Sequence, residues 1–204
     1  DNHNFTNFIK SMLDEKKIIS LDVGAQGGFN SDNFFPNRYN QFFKAILVEP
    51  IKEEAKKLKT SDNFVIQNKL WRSNKIKKVN ILGNRLGSSS MFEPDKSAFK
   101  VYNFRQKDID SLKVTETLEV ECIQMNEALK KINVNEIEYL KIDTQGAEFE
   151  ILKGMNTYQP IIIRLEVQIF SMYKGVPSWS KLISLLDDLG YIVCEFRDIG
   201  SHKT

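Results

Sequence analysis

The run Leu21-Asp22-Val23-Gly24-Ala25-Gln26-Gly27-Gly28 follows Ile18-Ile19 closely, so an apolar strand feeds straight into a glycine-rich turn. A second apolar run, Ala45-Ile46-Leu47-Val48, ends in Glu49-Pro50. Strand, glycine turn, strand and terminal carboxylate is how α/β folds grip a nucleoside. The turn lets the backbone approach the ligand, and the acid accepts hydrogen bonds from ribose hydroxyls. An enzyme is the first expectation.

The turn argues against a dinucleotide. That fingerprint is G-x-G-x-x-G, and Asp22 stands where its first glycine belongs. No G-x-x-x-x-G-K-[ST] run is present either. A carboxylate at this place repels phosphate and suits an ammonium or a hydroxyl. D-x-G-x-x-x-G resembles the first motif of class I S-adenosylmethionine-dependent methyltransferases, whose ligand carries an amine, a ribose and a sulfonium but no phosphate.

Composition narrows the class. The sequence has 204 residues, 41% hydrophobic and 27% charged, which suits one α/β domain with a full core. With 29 basic and 27 acidic side chains the net charge is +2, and this balance argues against nucleic acid as the main partner. Lys75-Ile76-Lys77-Lys78 reads as a solvated loop. Cys122 and Cys194 lie in apolar, strand-like runs and read as buried thiols. No stretch approaches 18 apolar residues, so no membrane span is expected. The start, Asp1-Asn2-His3-Asn4, lacks the apolar core of a signal peptide and lacks a methionine. It reads as a trimmed chain or a piece of a longer one, with the cytoplasm as the default location.

Strands alternating with helices predict one doubly wound, mostly parallel sheet. Residues 5–16 read as an amphipathic helix within an N-terminal segment, 1–17, packed on a domain of residues 18–204. Strands are expected near 18–24, 45–49, 64–68, 139–143, 161–167 and 191–196, and exposed or edge strands at 78–82 and 118–123. Helices are expected at 51–59, 126–132, 148–153 and 179–189, and a helix or loop over the Phe-rich 28–43. The stretch 83–117 reads as a long polar loop of functional character.

In such a sheet the ligand sits beyond the carboxyl ends of the strands. Four acids fall at such ends: Asp22, Glu49, Asp143 and Glu166. Singly, Asp143 could cap the helix behind it and Glu166 could pair with Arg164. Together, they fit a cofactor with an amine and ribose hydroxyls. No ligand spacing demands a metal.

One long motif sharpens this. Leu140-Lys141-Ile142-Asp143-Thr144-Gln145-Gly146-Ala147-Glu148-Phe149-Glu150-Ile151-Leu152-Lys153-Gly154 resembles the signature of FkbM-family methyltransferases, L-K-I-D-x-[EQ]-G-x-E-x-x-V-L-x-G. Val48-Glu49-Pro50, Ser89-Ser90-Met91-Phe92-Glu93-Pro94 and Leu165-Glu166-Val167 follow the family's order, over roughly 18 to 196. The resemblance implies the Rossmann-like class I methyltransferase fold and methyl transfer from S-adenosylmethionine, usually to a hydroxyl of a sugar or polyketide. It implies that Asp22, Gly24, Ala25, Gln26 and Gly28 hold the amino-acid end of the cofactor and Glu49-Pro50 the ribose. Leu70 and Trp71 would flank the adenine, with Trp71 stacked on it or simply part of the core, and Asp143 would sit nearest the methyl group. Family members commonly add an antiparallel strand after the position of Phe196. This sequence stops at Thr204, so it is truncated there or lacks that strand.

A sugar hydroxyl needs a general base as its proton leaves. The only histidines are His3 and His202, near the termini, so a carboxylate is expected: Glu166 or Asp143, then Glu148. Lys141 lies on the same strand face as Asp143 and could keep it ionised. Ser89, Ser90, Glu166 and Tyr173 are candidates for the acceptor pocket, with Trp179 nearby. Two other classes remain: a degenerate domain acting through ligand or protein contacts, and an NAD-dependent oxidoreductase, which the missing glycine disfavours.

Overall fold

The computed structural model describes residues 2–61, 63–83, 86–102 and 104–198; His202 lies outside them. Five strands form the central sheet: β1 (Ile18–Val23), β2 (Phe43–Val48), β3 (Phe64–Ile66), β7 (Tyr139–Ile142) and β8 (Ile162–Leu165). Their order is β3-β2-β1-β7-β8, and every pairing is parallel. The chain builds outward from β1 to β3, then restarts on the other side of β1 with β7. The reversal between β1 and β7 is the crevice where open α/β sheets bind ligands.

Period-two alternation decides the two faces. Leu21, Val23, Ile46, Val48, Leu140 and Ile142 point to one side. They are sealed there with Met125 and Leu129 of α5 (Met125–Lys131), and with Ile151 and Leu152 of α6 (Glu148–Lys153). The opposite face carries Ala45 and Leu47, packed with Ala25, Phe29 and Leu58 of α2 (Lys52–Leu58). Phe29, Phe35, Phe43 and Tyr139 close it as an aromatic cluster, with Phe35 and Phe43 stacked at 5.1 Å.

The segment covering that face is mostly irregular. The sequence allowed a helix over 28–43, yet only a 3-10 helix, Asn37–Phe42, forms. Asn30 and Asn33 adopt positive φ (55° and 52°), which breaks a right-handed helix. The Asn30 side chain then organises the turn, its amide donating to Phe35 O at 2.8 Å and to Asn37 Oδ1 at 3.1 Å.

A second, three-stranded sheet departs from the single sheet expected. β5 (Lys75–Leu82) pairs antiparallel with β6 (Val114–Ile123), and β4 (Lys69–Leu70) runs parallel to β6. Val79, Ile81 and Leu82 face inward while Ile76 stays exposed, so the alternation seen in the sequence marks a half-buried hairpin. The stretch read as one loop also holds two short helices, α3 (Ala98–Val101) and α4 (Gln106–Ser111), besides a 3-10 turn at Leu86–Ser88. Gly154 ends α6 for a reason other than backbone sign. Its φ is −90°, and a Cβ there would lie 2.4 Å from Trp71 O, so a glycine is needed for close approach.

The N-terminal helix α1 (Asn2–Leu13) forms and meets the domain where Phe5 touches Tyr39 edge-on, leaving Phe8 and Met12 exposed. α7 (Trp179–Asp188) lays Leu182 into the main core. The strand expected at 191–196 is absent. The stretch is irregular, held by the Tyr191 hydroxyl on Pro160 O at 2.8 Å, with Ile192 and Val193 exposed. Alternation alone makes no strand, because a strand needs a neighbour for its amides; among the described residues β8 pairs only with β7. Cys194, expected to be buried, is therefore exposed, whereas Cys122 is buried.

Candidate functional site

The glycine turn and the end of β7 meet at the crevice. Gly24 (φ 83°) crosses so close to Asp143 that an added Cβ would lie 1.8 Å from the Asp143 carbonyl oxygen. Lys141, one turn of the pleat before Asp143, points under this crossing. Its ammonium lies 3.0 Å from Asp22 Oδ1 and 3.9 Å from Asp143 Oδ2, and it donates to Gly24 O at 3.2 Å. One cation thus ties β1, the turn and β7 together. Burial pushes the Asp22 carboxyl up, and Lys141 opposes that shift.

Glu49 follows β2. Its Oε1 accepts the Ile51 N–H at 2.9 Å, and no second hydrogen bond to the carboxylate is found among the described residues. Burial raises its pKa, opposed by that N–H and by the charge of Lys69. Lys69, at the start of β4, is itself buried. Burial lowers its pKa, and the carboxylates of Glu49 and Glu148 counter it.

Across the crevice, Asp143 and Glu166 stand just past the ends of adjacent strands, both within hydrogen-bond distance of Gln145. Gln145 bridges them, its Nε2 donating to Asp143 Oδ1 at 3.0 Å and to Glu166 Oε1 at 3.3 Å. Desolvation raises the pKa of Glu166, and the negative charge of Asp143 raises it further. Arg164 pairs with Asp32 and stacks on Phe34, so it does not neutralise Glu166 as an ion-pair partner. Beyond this pair opens a cleft enclosing about 460 Å³, part of it open to solvent. Its walls are Phe149, Val167, Val176, Pro177, Trp179 and Leu182, with Gln145, Gln168, Ser171, Glu148 and Glu166 as polar points. Among the described residues, no lysine, arginine or histidine lines it.

The profile of the methyltransferase FkbM domain matches residues 22–193, most of the chain. The chain belongs to the FkbM methyltransferase family. No curated protein and no solved structure matches it significantly.

Within this FkbM methyltransferase domain the sequence-selected residues separate into two groups. Gly24, Ala25, Gln26 and Gly28 form the turn, Glu49 and Pro50 end β2, and Asp143 and Glu166 end β7 and β8. The others serve the scaffold. Asp22 points onto the sheet face with Lys141 and lines a separate small cavity with Asn30, Tyr139 and Arg164, away from the Glu166 cleft. Trp71 is buried in the core with Phe92 beside it and Lys77 at 3.9 Å over its ring. Leu70 is a core residue as well. The Ser89 hydroxyl accepts from Leu82 N at 3.2 Å, and that of Ser90 donates to Gln145 O at 2.6 Å. Tyr173, buried, donates to Ser88 O at 2.6 Å and fastens the 86–94 loop. Glu148, the third candidate base, accepts from Thr144 N, Thr144 Oγ1 and Gly146 N at 3.0, 3.0 and 3.2 Å. It clamps the turn before α6, and that work leaves Asp143 free of any capping duty.

Two residues escaped the sequence reading. Gln145 was visible only as a letter in the family signature, and nothing local announces a left-handed residue (φ 56°) between two acids. Lys69 was legible as a lysine beside the apolar pair Leu70-Trp71, a setting where a cation needs a carboxylate partner.

Proposed function

We propose that this domain transfers a methyl group from S-adenosylmethionine to a hydroxyl of a sugar, glycan or related natural product. The observation that carries this reading is the carboxyl pair Asp143–Glu166, joined by Gln145 at the mouth of a cleft with apolar walls. Among the described lining residues an acidic acceptor would find no counter-charge. A neutral ring could lie against Trp179 and Phe149 and offer a hydroxyl to Glu166.

The residues around the glycine turn fit the cofactor. The half-used carboxylate of Glu49 has an oxygen to spare for ribose hydroxyls, and Gly24 lets the turn cross the Asp143 backbone closer than any side chain would allow. Asp143, held beside the turn by Lys141, offers a carboxylate to an ammonium or sulfonium. When bound, S-adenosylmethionine supplies the electrophilic methyl carbon. Glu166 then accepts the acceptor's hydroxyl proton, a role its raised pKa favours. Glu166→Gln is expected to lower methyl transfer by about 10²–10⁴-fold while leaving cofactor affinity within a few-fold. Transfer of labelled methyl to a panel of neutral and acidic saccharides checks this, and normal turnover in the variant would remove Glu166 from the mechanism.

The cofactor itself is tested by calorimetric titration of S-adenosylmethionine into the wild type and Glu49→Ala. One-to-one binding by the wild type, weakened at least about tenfold in the variant, is the expected result; a tenfold loss corresponds to about 1.4 kcal/mol. A folded wild type that binds nothing would overturn the reading.

A further inference from the structure

Gln145 makes contacts out of proportion to a turn residue. Its Nε2 spans Asp143 and Glu166. Its Oε1 accepts from Gln168 Nε2 at 3.3 Å, with the Tyr173 hydroxyl, whose proton goes to Ser88 O, 3.4 Å away. Its backbone carbonyl accepts from Ser90 Oγ. Acceptors surround one end of the amide and a donor meets the other, which leaves it a single orientation. Its left-handed backbone is of the kind that persists only where the surroundings over-determine it, and such residues cluster at functional sites.

We propose that Gln145 is the positioning residue of the acid pair: by giving a hydrogen bond to each carboxylate it holds Asp143 and Glu166 together, so that a carboxylate oxygen of Glu166 faces the acceptor hydroxyl. The purpose assigned to the pair rests on the methyltransferase reading above; the pairing itself does not. Two carboxylates this close do not both ionise freely, since like charges disfavour the second ionisation. An amide is suited to the place because it donates without adding charge. The charged groups around the pair are Lys141 on β7, Lys69 on β4, Arg164 on β8, Asp22 on β1 and Glu148 on α6. Of the cations only Lys141 comes within 4.0 Å of Asp143, and none does so of Glu166, among the described residues. Among those residues the amide of Gln145 is the one group hydrogen-bonded to both.

A glutamate at 145 would keep the shape and add a third carboxylate; a methionine would keep the length and donate nothing. The test follows the side-chain carboxyl ¹³C resonances across pH in the full chain, with Asp143→Asn and Glu166→Gln supplying the assignments. In the wild type the Glu166 carboxyl should titrate in a step above the ordinary carboxylate range. In Gln145→Glu that step should move up by about one pH unit or more, and in Gln145→Met it should move the same way by less. A folded variant whose Glu166 step is unmoved would overturn the proposal, as would failure of both variants to fold, which would make Gln145 purely structural. S-adenosylhomocysteine titrated into the wild type separates the two readings. Binding together with an unmoved step removes the role of Gln145 alone, and no binding removes the cofactor reading while the carboxyl titration still judges the pair.

Discussion

Gly24→Ala is expected to abolish binding of S-adenosylmethionine and to destabilise the fold by at least about 3 kcal/mol. Two costs combine. A φ of 83° is strained for any side-chain-bearing residue. The new Cβ would also collide with the Asp143 carbonyl oxygen at 1.8 Å, and that carbonyl is held in place, because the Thr144 N–H of the same peptide unit is bonded to Glu148 Oε1 at 3.0 Å. The crevice between β1 and β7 must open or the turn must leave its place. Gly28→Ala isolates the first cost. Its φ is 96°, but the nearest atom to an added Cβ, Leu58 Cδ2, is 3.9 Å away, so a loss of only about 1–2 kcal/mol is expected. Urea unfolding and cofactor calorimetry on both variants decide the matter; equal losses would show that collision at Gly24 is relieved at no cost.

Lys141→Met should be nearly as damaging. Lys141 and Asp22 are both largely buried, and removing one member of a buried pair leaves an uncompensated charge worth about 3–5 kcal/mol. Gly24 O loses a donor and Asp143 its nearest cation in the same step. The loss should depend on pH with a definite sign. Burial already holds the folded Asp22 pKa above its unfolded value, and without Lys141 it rises further. The folded state then keeps a proton that the unfolded chain releases above about pH 4. The penalty is absent below that pH, grows as pH rises, and is complete once pH passes the folded value. Unfolding at pH 5 and pH 8 should show the variant relatively weaker at the higher pH. Asp22→Asn combined with Lys141→Met should recover much of the loss, because no buried charge is then left alone.

The parallel sheet was legible because its strands are short apolar runs ended by glycine or an acid, as in Leu21–Gly24 and Ala45–Glu49. Those runs are buried on both faces and leave no other place in a fold of this size. What escaped is non-local. Whether Tyr191–Phe196 becomes a strand depends on a neighbour, which no local pattern specifies. Whether 29–36 becomes a helix depends on Asn30 and Asn33, whose left-handed turns are weak signals in a Phe-rich run. At the site, the glycine turn and Glu49 could be read because strand ends converge by topology. The roles of Ser90, Tyr173 and Glu148 could not, because a hydroxyl or an acid near a rim reads alike whether it faces the ligand or bonds to its own loop. The place of Asp22 was hidden for a related reason. It sits one residue before the strand's end, and period two turned its side chain onto the sheet face.

The irregular path after the glycine turn also sets the field of the crevice. With residues 25–36 in bends and turns, no helix starts there, and no row of aligned amides brings a half-unit of positive potential to the rim from the glycine turn. What remains is an excess of carboxylates over ammonium groups, so the crevice prefers a positively charged occupant. For the cofactor proposed above, the occupant arrives with a sulfonium charge and departs as a neutral thioether. The attraction that brings it in is thereby switched off by the reaction itself, and turnover leaves behind a more weakly held product.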